Sequence, residues 1–297
     1  MKSPLKFTVA GDGTSLAYQT RGSGQPIVFT NGFATSTFYW QPLLERLQPH
    51  ARLVTWDLKG HGRSAPARRP ELFDVPSCAD DLRRVLDATG IEKATLVGFS
   101  FGCQIVLEAW RHFPDRIEAI VPILGPVGRP FDSLIHPKVG RTLFDIFRLG
   151  GTRGARLMLE TGRQAVKLRG THEIAQQLGF ICPNVTVAQM QPFYDHLGLI
   201  DAVSWHALGA AAQNHTAEDL LESIECPVLV ISGGKDAFAP ARLSRLMAER
   251  IPNAHHLHLE TATHTGLFGQ ADLIGEAVEG FLNDHVGMTF SSLNGRP

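Results

Sequence analysis

Gly98-Phe99-Ser100-Phe101-Gly102 is the stretch of this chain with the clearest chemical content. A serine hydroxyl is a weak nucleophile at neutral pH. It gains power when an imidazole takes its proton and later returns it to a leaving group, with a carboxylate holding the imidazole and stabilising its cation. Because the chain has 14 serines and 29 glycines, the letters G-x-S-x-G alone would arise by chance in roughly one such sequence in eight. Their placement carries more weight. The apolar run Ala94-Thr95-Leu96-Val97 leads into the pentapeptide and a helical pattern over residues 101–112 leads out. Ser100 therefore falls on a strand-to-helix bend, whose strained backbone lifts the hydroxyl off the sheet edge. Glycines two residues away on each side remove the side chains that would keep strand and helix apart.

Positioning that serine is the task of the surrounding elements. Residues 5–10, a Gly11-Asp12-Gly13-Thr14 turn and residues 15–20 read as a β-hairpin, followed by a strand over residues 26–30. Apolar strand patterns at residues 53–56, 94–97 and 117–123 then alternate with helical ones at 79–88 and 101–112. Continuous apolar strands separated by helices imply an α/β fold with a mostly parallel central sheet and helices on both faces. The alternation stops at Gly125-Pro126-Val127-Gly128 and resumes at Cys226-Pro227-Val228-Leu229-Val230-Ile231. Chains beyond ~250 residues tend to subdivide their cores. Residues 127–222, with helical patches and no strong strand, are therefore expected to be a helical cap inserted into a core made of residues 1–126 and 223–297. A helix over residues 240–250, a strand over 256–259, a helix over 267–283 and a loose tail from 286 onward complete the expectation.

On these motifs the chain resembles the α/β-hydrolase family from about residue 5 to residue 284, with the insertion at the family's cap position. Asp57-Leu58-Lys59-Gly60-His61-Gly62-Arg63-Ser64 is similar to the family's D-x-x-G-x-G-x-S loop, a tight structural crossing that His61 is expected to order. Ser232-Gly233-Gly234-Lys235-Asp236 resembles its acid-bearing turn, and Thr263-His264-Thr265 precedes the last helix, where such enzymes carry their histidine. The resemblance implies a nucleophile Ser100, an acid Asp236 and a base His264, in the family's chain order. It also implies an oxyanion hole made of the backbone N–H groups of Phe101 and Phe33, the latter in an Asn31-Gly32-Phe33 turn that replaces the commoner His-Gly-x. Asn31, Phe33 and Phe101 are expected around an apolar substrate pocket, with most neighbouring aromatics, Phe99 and Trp40 among them, left to core packing. Asp132 competes with Asp236 but lies further into the insertion. His256 and His258 share one face of a strand, an H-x-H pair with no identifiable third ligand, so no metal site is expected and an edge strand is.

Composition bounds the function. The chain of 297 residues has 28 Lys+Arg, 29 Asp+Glu, 43% hydrophobic and 19% charged residues. That balance excludes a disordered chain and offers no global field for nucleic acid. Cys78, Cys103, Cys182 and Cys226 are scattered, the amino end lacks a hydrophobic signal core and no run is long enough to span a bilayer, which reads as a reduced, cytoplasmic protein. Without a G-x-x-x-x-G-K-[ST] loop, and with Gly11-Asp12-Gly13 opening a hairpin, no cofactor is implied.

Charge is divided within the insertion. Residues 141–170 carry Arg141, Arg148, Arg153, Arg156, Arg163, Lys167 and Arg169 against Asp145 and Glu160, a balance of +5, whereas residues 171–234 hold seven acids and no Lys or Arg. Two expectations follow: solvated basic helices partly paired with the acidic half, or a seat for an anionic partner such as an acyl carrier protein, a coenzyme A-linked substrate or a lipid surface. The expected activity is serine hydrolysis of a largely apolar carboxylic ester, lactone or thioester through an acyl-enzyme on Ser100. Alternatives using the same residues are acyl transfer, carbon–carbon bond hydrolysis, or ligand sensing with little turnover. A serine at position 100 argues against epoxide or halide displacement, which takes a carboxylate nucleophile.

Overall fold

The computed structural model describes residues 4–133 and 137–290. Eight strands form one sheet: β1 (Lys6–Val9), β2 (Ser15–Arg21), β3 (Pro26–Thr30), β4 (Arg52–Trp56), β5 (Ala94–Phe99), β6 (Ile117–Ile123), β7 (Val228–Gly233) and β8 (Ala254–Leu259), in the order β1-β2-β4-β3-β5-β6-β7-β8. β1, β2 and β4 pair antiparallel, and every pair from β4 through β8 is parallel. The middle strands are apolar throughout because both faces are covered. Along β5, Leu96 points into one core with Leu82, Ile105 and Met247, while Val97 and Phe99 point into the other with Leu44, Val278 and Phe281.

The helices before the insertion are α1 (Gln41–Leu47), α2 (Val75–Thr89) and α3 (Gly102–His112). Those inside it are α4 (Pro130–Ser133), α5 (Pro137–Ala165), α6 (Thr171–Gln177), α7 (Val187–His196) and α8 (Ala202–Asn214). After it come α9 (Ala241–Arg250), the single turn α10 (Gly266–Gly269) and α11 (Ala271–Val286). α2 illustrates the local logic. Asp74 accepts from Ser77 N at 2.8 Å and Ser77 Oγ accepts from Asp74 N at 3.0 Å, a capping box that contributes about 1 kcal/mol, and Gly90 (φ 64°) ends the helix.

Between β6 and β7 the described residues contain helices and one isolated bridge, Gly128 to Thr216. They gather two small cores. Phe147, Ala155, Leu159, Ile200 and Trp205 pack on Phe33 and Ala34 of the loop after β3, whereas Ile181, Cys182, Val185 and Met190 pack on Phe268 of α10.

The carboxyl end departs from expectation twice. The last helix is split at Gln270, whose φ of −131° breaks the helical path beside Gly269, which is pressed against Cys182. The start of the expected tail is anchored: Met288 N donates to Leu282 O at 3.1 Å, and Met288 and Phe290 pack on the second core. Residues 291–297 lie outside the described residues.

Candidate active site

Ser100 leaves β5 with φ 52°, a left-handed conformation costly for a residue with a side chain. The neighbouring glycines allow the bend. A Cβ on Gly98 would sit 2.5 Å from Gly102 O, and one on Gly102 would sit 2.3 Å from Thr30 O. Ser100 N donates to Ile123 O at 3.0 Å, which ties the bend to β6.

Three side chains meet there. Ser100 Oγ lies 3.0 Å from His264 Nε2, and His264 Nδ1 lies 2.9 Å and 3.1 Å from the two carboxylate oxygens of Asp236. An ionised carboxylate only accepts, so Nδ1 carries the proton and Nε2 presents its lone pair to the serine hydroxyl. Asp236 is oriented by its own turn, since Oδ1 accepts from Phe238 N at 2.8 Å and Ala239 N at 2.9 Å. Its side chain is fully buried. Phe99 and Phe238 flank the His264 ring with centroids 5.0 and 4.9 Å away, and Tyr39 Oη donates to His264 O at 3.1 Å. Burial, and then the charge of Asp236, push the Tyr39 phenol well above its usual pKa, so it stays a donor.

The amides of Phe33 and Phe101 donate to no protein group among the described residues. Gly32 is pressed on the nucleophile, as a Cβ there would sit 2.8 Å from Ser100 Cβ. The next two side chains serve the insertion: the Phe33 ring stacks on Trp205 at 4.8 Å, and Ala34 packs against the same cluster. Phe101's ring is buried in a core with Val127 and Leu208.

Asn31 corrects an expectation. Its Nδ2 donates to Trp56 O at 2.7 Å and reaches Asp57 Oδ1 at 3.2 Å, and its Oδ1 accepts from Trp40 Nε1 at 2.7 Å. At 1% exposure the amide braces the loop from behind and does not line a pocket. His61 is fully buried with Nδ1 3.0 Å from Lys59 O, and burial lowers its pKa to about 4. Its ring lies 6.1 Å from that of His196 in α7, whose pKa is lowered to about 3 by burial and then by His61. Asp132 sits away from His264, accepting from Gln213 at 3.0 Å and Arg141 at 3.3 Å. His256 and His258 both bond Ser232 Oγ, at 2.8 and 2.9 Å, on the edge strand β8, and no group of three metal-ligating side chains exists among the described residues. No helix of the described residues is long and apolar enough to cross a membrane.

The divided charge resolves differently from the paired expectation. In the basic half, Arg141, Arg148 and Arg163 pair with Asp132, Asp145 and Glu160, whereas Asp219 and Glu222 of the acidic half pair with Arg111 and Arg250. Arg153, Arg156, Lys167 and Arg169 are exposed and form no ion pair among the described residues. Beside them Ile146, Leu149, Leu157 and Leu168 face solvent.

Sequence reasoning missed Phe238, Trp205 and the Cys182–Thr265 contact, and gave Tyr39, one of the aromatics near the nucleophile, no role of its own. Only Phe238 and Tyr39 had a local signal, lying in the acid turn and just past the Asn31-Gly32-Phe33 turn.

Residues 25–271 match the family described as the alpha/beta hydrolase fold. A protein provisionally named carbamate hydrolase RutD, from Azorhizobium caulinodans, is 24% identical over 288 residues that cover 94% of this chain and 99% of that protein. A pimeloyl-[acyl-carrier protein] methyl ester esterase from Aliivibrio fischeri is 24% identical, covering 92% and 99%. Among solved structures, an esterase from Exiguobacterium antarcticum is similar with a TM-score of 0.76 and 19% identity, covering 95% of this chain and all of that one.

Proposed function

This chain belongs to the α/β-hydrolase family, and from that premise we propose that it is a serine hydrolase of carboxylic esters, lactones or thioesters. The observation that carries the reading is the unbroken line Ser100 Oγ, His264 Nε2, His264 Nδ1, Asp236, with bonds of 3.0 and 2.9 Å. In this reading residues 1–126 and 223–297 are the catalytic core and residues 127–222 the cap. Ser100 Oγ attacks the acyl carbon while His264 Nε2 takes its proton, and Asp236 stabilises the imidazolium. The oxyanion receives the free amides of Phe33 and Phe101. Collapse expels the alkoxide or thiolate, which takes the proton from Nε2. Water, deprotonated by the same nitrogen, then attacks the acyl carbon; the bond to Ser100 Oγ breaks, Nε2 returns the proton to Oγ and the acid leaves. The activity for which one relative is named, methyl ester hydrolysis, supports the ester class.

Ser100→Ala is expected to abolish labelling by a fluorophosphonate and the burst with p-nitrophenyl esters. Retained labelling would remove Ser100 from the role. A chain-length series of esters and thioesters on wild type and Ser100→Ala identifies the acyl group. Sustained turnover separates an enzyme from a ligand sensor, and product analysis with added alcohol or diketone substrates separates hydrolysis from acyl transfer and carbon–carbon cleavage.

A second feature favours an anionic, carrier-borne acyl substrate, an acyl carrier protein or a coenzyme A ester. Four unpaired cations stand on the cap, and one relative is named for an acyl carrier protein substrate. Exposed charge at that density steers association in a salt-dependent way. For a carrier-bound ester kcat/KM should fall steeply with ionic strength while that of a methyl ester stays flat; equal responses reject the carrier.

A further inference from the structure

His264 stands between two threonines, and a segment of the insertion holds both. Thr265 Oγ1 accepts from Cys182 N at 2.8 Å. Thr263 Oγ1 lies 3.2 Å from Cys182 Sγ and 3.5 Å from Phe180 O, and Thr263 N donates to the same sulfur at 3.4 Å. The two threonine hydroxyls are 3.3 Å apart. One turn later Asn184 Nδ2 donates to Gly269 O at 2.8 Å. Cys182 also fills the space over Gly269, where a Cβ would sit 2.5 Å from its own. The segment is tied back to α6, since Phe180 N and Ile181 N both donate to Ala175 O, at 2.9 and 3.2 Å. Its ring contact continues the hold, Phe180 lying 4.9 Å from Phe238, which in turn flanks His264.

We infer that residues 180–184 form a clasp through which the cap positions the base. Thr263 and Thr265 are 2% and 6% exposed, and buried hydroxyls without partners are costly, so the clasp has a preferred register. From the core, by contrast, the loop is held through Ala262 O, which accepts from Lys235 N at 3.0 Å, and through His264 O on Tyr39. His264 must meet Ser100 and Asp236 at once, and a shift of about 1 Å in a catalytic group can cost 10²-fold in rate. Cys182, Thr263 and Thr265 are thus positioning residues. A cap displaced by substrate carries the base loop with it.

The inference rests on the serine hydrolase reading, so labelling of wild type and its loss in Ser100→Ala come first. Thr265→Val, Cys182→Ala and Thr265→Ser are then compared by fluorophosphonate labelling rate and by kcat and KM for p-nitrophenyl acetate, whose small acyl group needs little of the cap. Thr265→Val and Cys182→Ala should slow labelling and kcat by about 10- to 100-fold, with KM within about twofold and Thr265→Ser close to wild type. Should those two variants misfold, Asn184→Ala cuts the exposed end of the clasp, and labelling slowed about threefold at unchanged Tm is expected. If wild type is not labelled, the hydrolase reading falls and the clasp with it. If wild type is labelled and the folded variants keep its rate, the clasp alone falls.

Discussion

Two aspartates stand at the carboxyl edge of the sheet, Asp57 after β4 and Asp236 after β7, and both are buried. Asp57 is saturated by donors: Ser36 Oγ at 2.6 Å, Asn31 Nδ2 at 3.2 Å and Thr37 N at 3.3 Å on one oxygen, Arg63 N at 3.0 Å on the other. Burial raises its pKa and these donors oppose the rise. Asp236 accepts from two amides of its own turn, both on Oδ1, and turns both oxygens toward an imidazole. The same residue type at the same depth thus closes a loop in one place and faces a histidine that reaches Ser100 in the other. What differs is whether a titratable partner with access to a nucleophile is admitted.

The largest test of that contrast is Asp236→Asn, which forces the wrong tautomer on His264 and should lower kcat by about 10³- to 10⁴-fold with little change in Tm. Next, Asp57→Asn should destabilise the fold by about 2–4 kcal/mol and leave kcat per folded molecule within about threefold of wild type. Denaturant melts with active-site titration measure both, and equal catalytic losses would erase the distinction.

A smaller effect concerns the neutral histidines behind the Asp57 loop. His61 and His196 have folded pKa values of about 4 and about 3 against an ordinary 6.5, so the unfolded chain binds protons first as pH falls. Stability present above pH 6.5 is lost as pH falls toward 4 and then 3, on the order of 3 kcal/mol for His61. Melts from pH 7 to 4 should follow that slope, and His61→Gln should flatten it. A slope unchanged in His61→Gln would assign it elsewhere. Smallest of all, Arg156→Gln on an exposed face of the insertion should move stability by less than about 0.5 kcal/mol.

Legibility in the sequence followed the range of the interaction. β3 and β6 match the expected residues 26–30 and 117–123, because apolar runs bounded by turn residues report burial on both faces. β5 runs two residues further than its apolar core suggested, since Gly98 and Phe99 remain in the ladder opposite Pro122 and Ile123. α1 went unseen because Pro42 and a short length hide its period, although Leu43, Leu44 and Leu47 all enter the core. In the site, Ser100 was legible from its two glycines. Asn31 was not, because a loop's sequence does not reveal which way an amide points.

The sequence by itself determined the strands of a parallel sheet, the bend that carries Ser100 and the chain order of serine, aspartate and histidine. Periodicity and close-approach glycines are local and survive in one dimension. The tertiary structure decided that His264, 164 residues from Ser100, meets Asp236 and not Asp132, that Asn31 faces inward, and that Cys182 of the insertion contacts Thr263 and Thr265. It also decided that acidic residues of the insertion pair with Arg111 and Arg250 of the core, leaving cations of the basic half free. Those outcomes depend on how helices far apart in the chain pack on one sheet edge, where a displacement of an ångström decides whether a hydrogen bond exists.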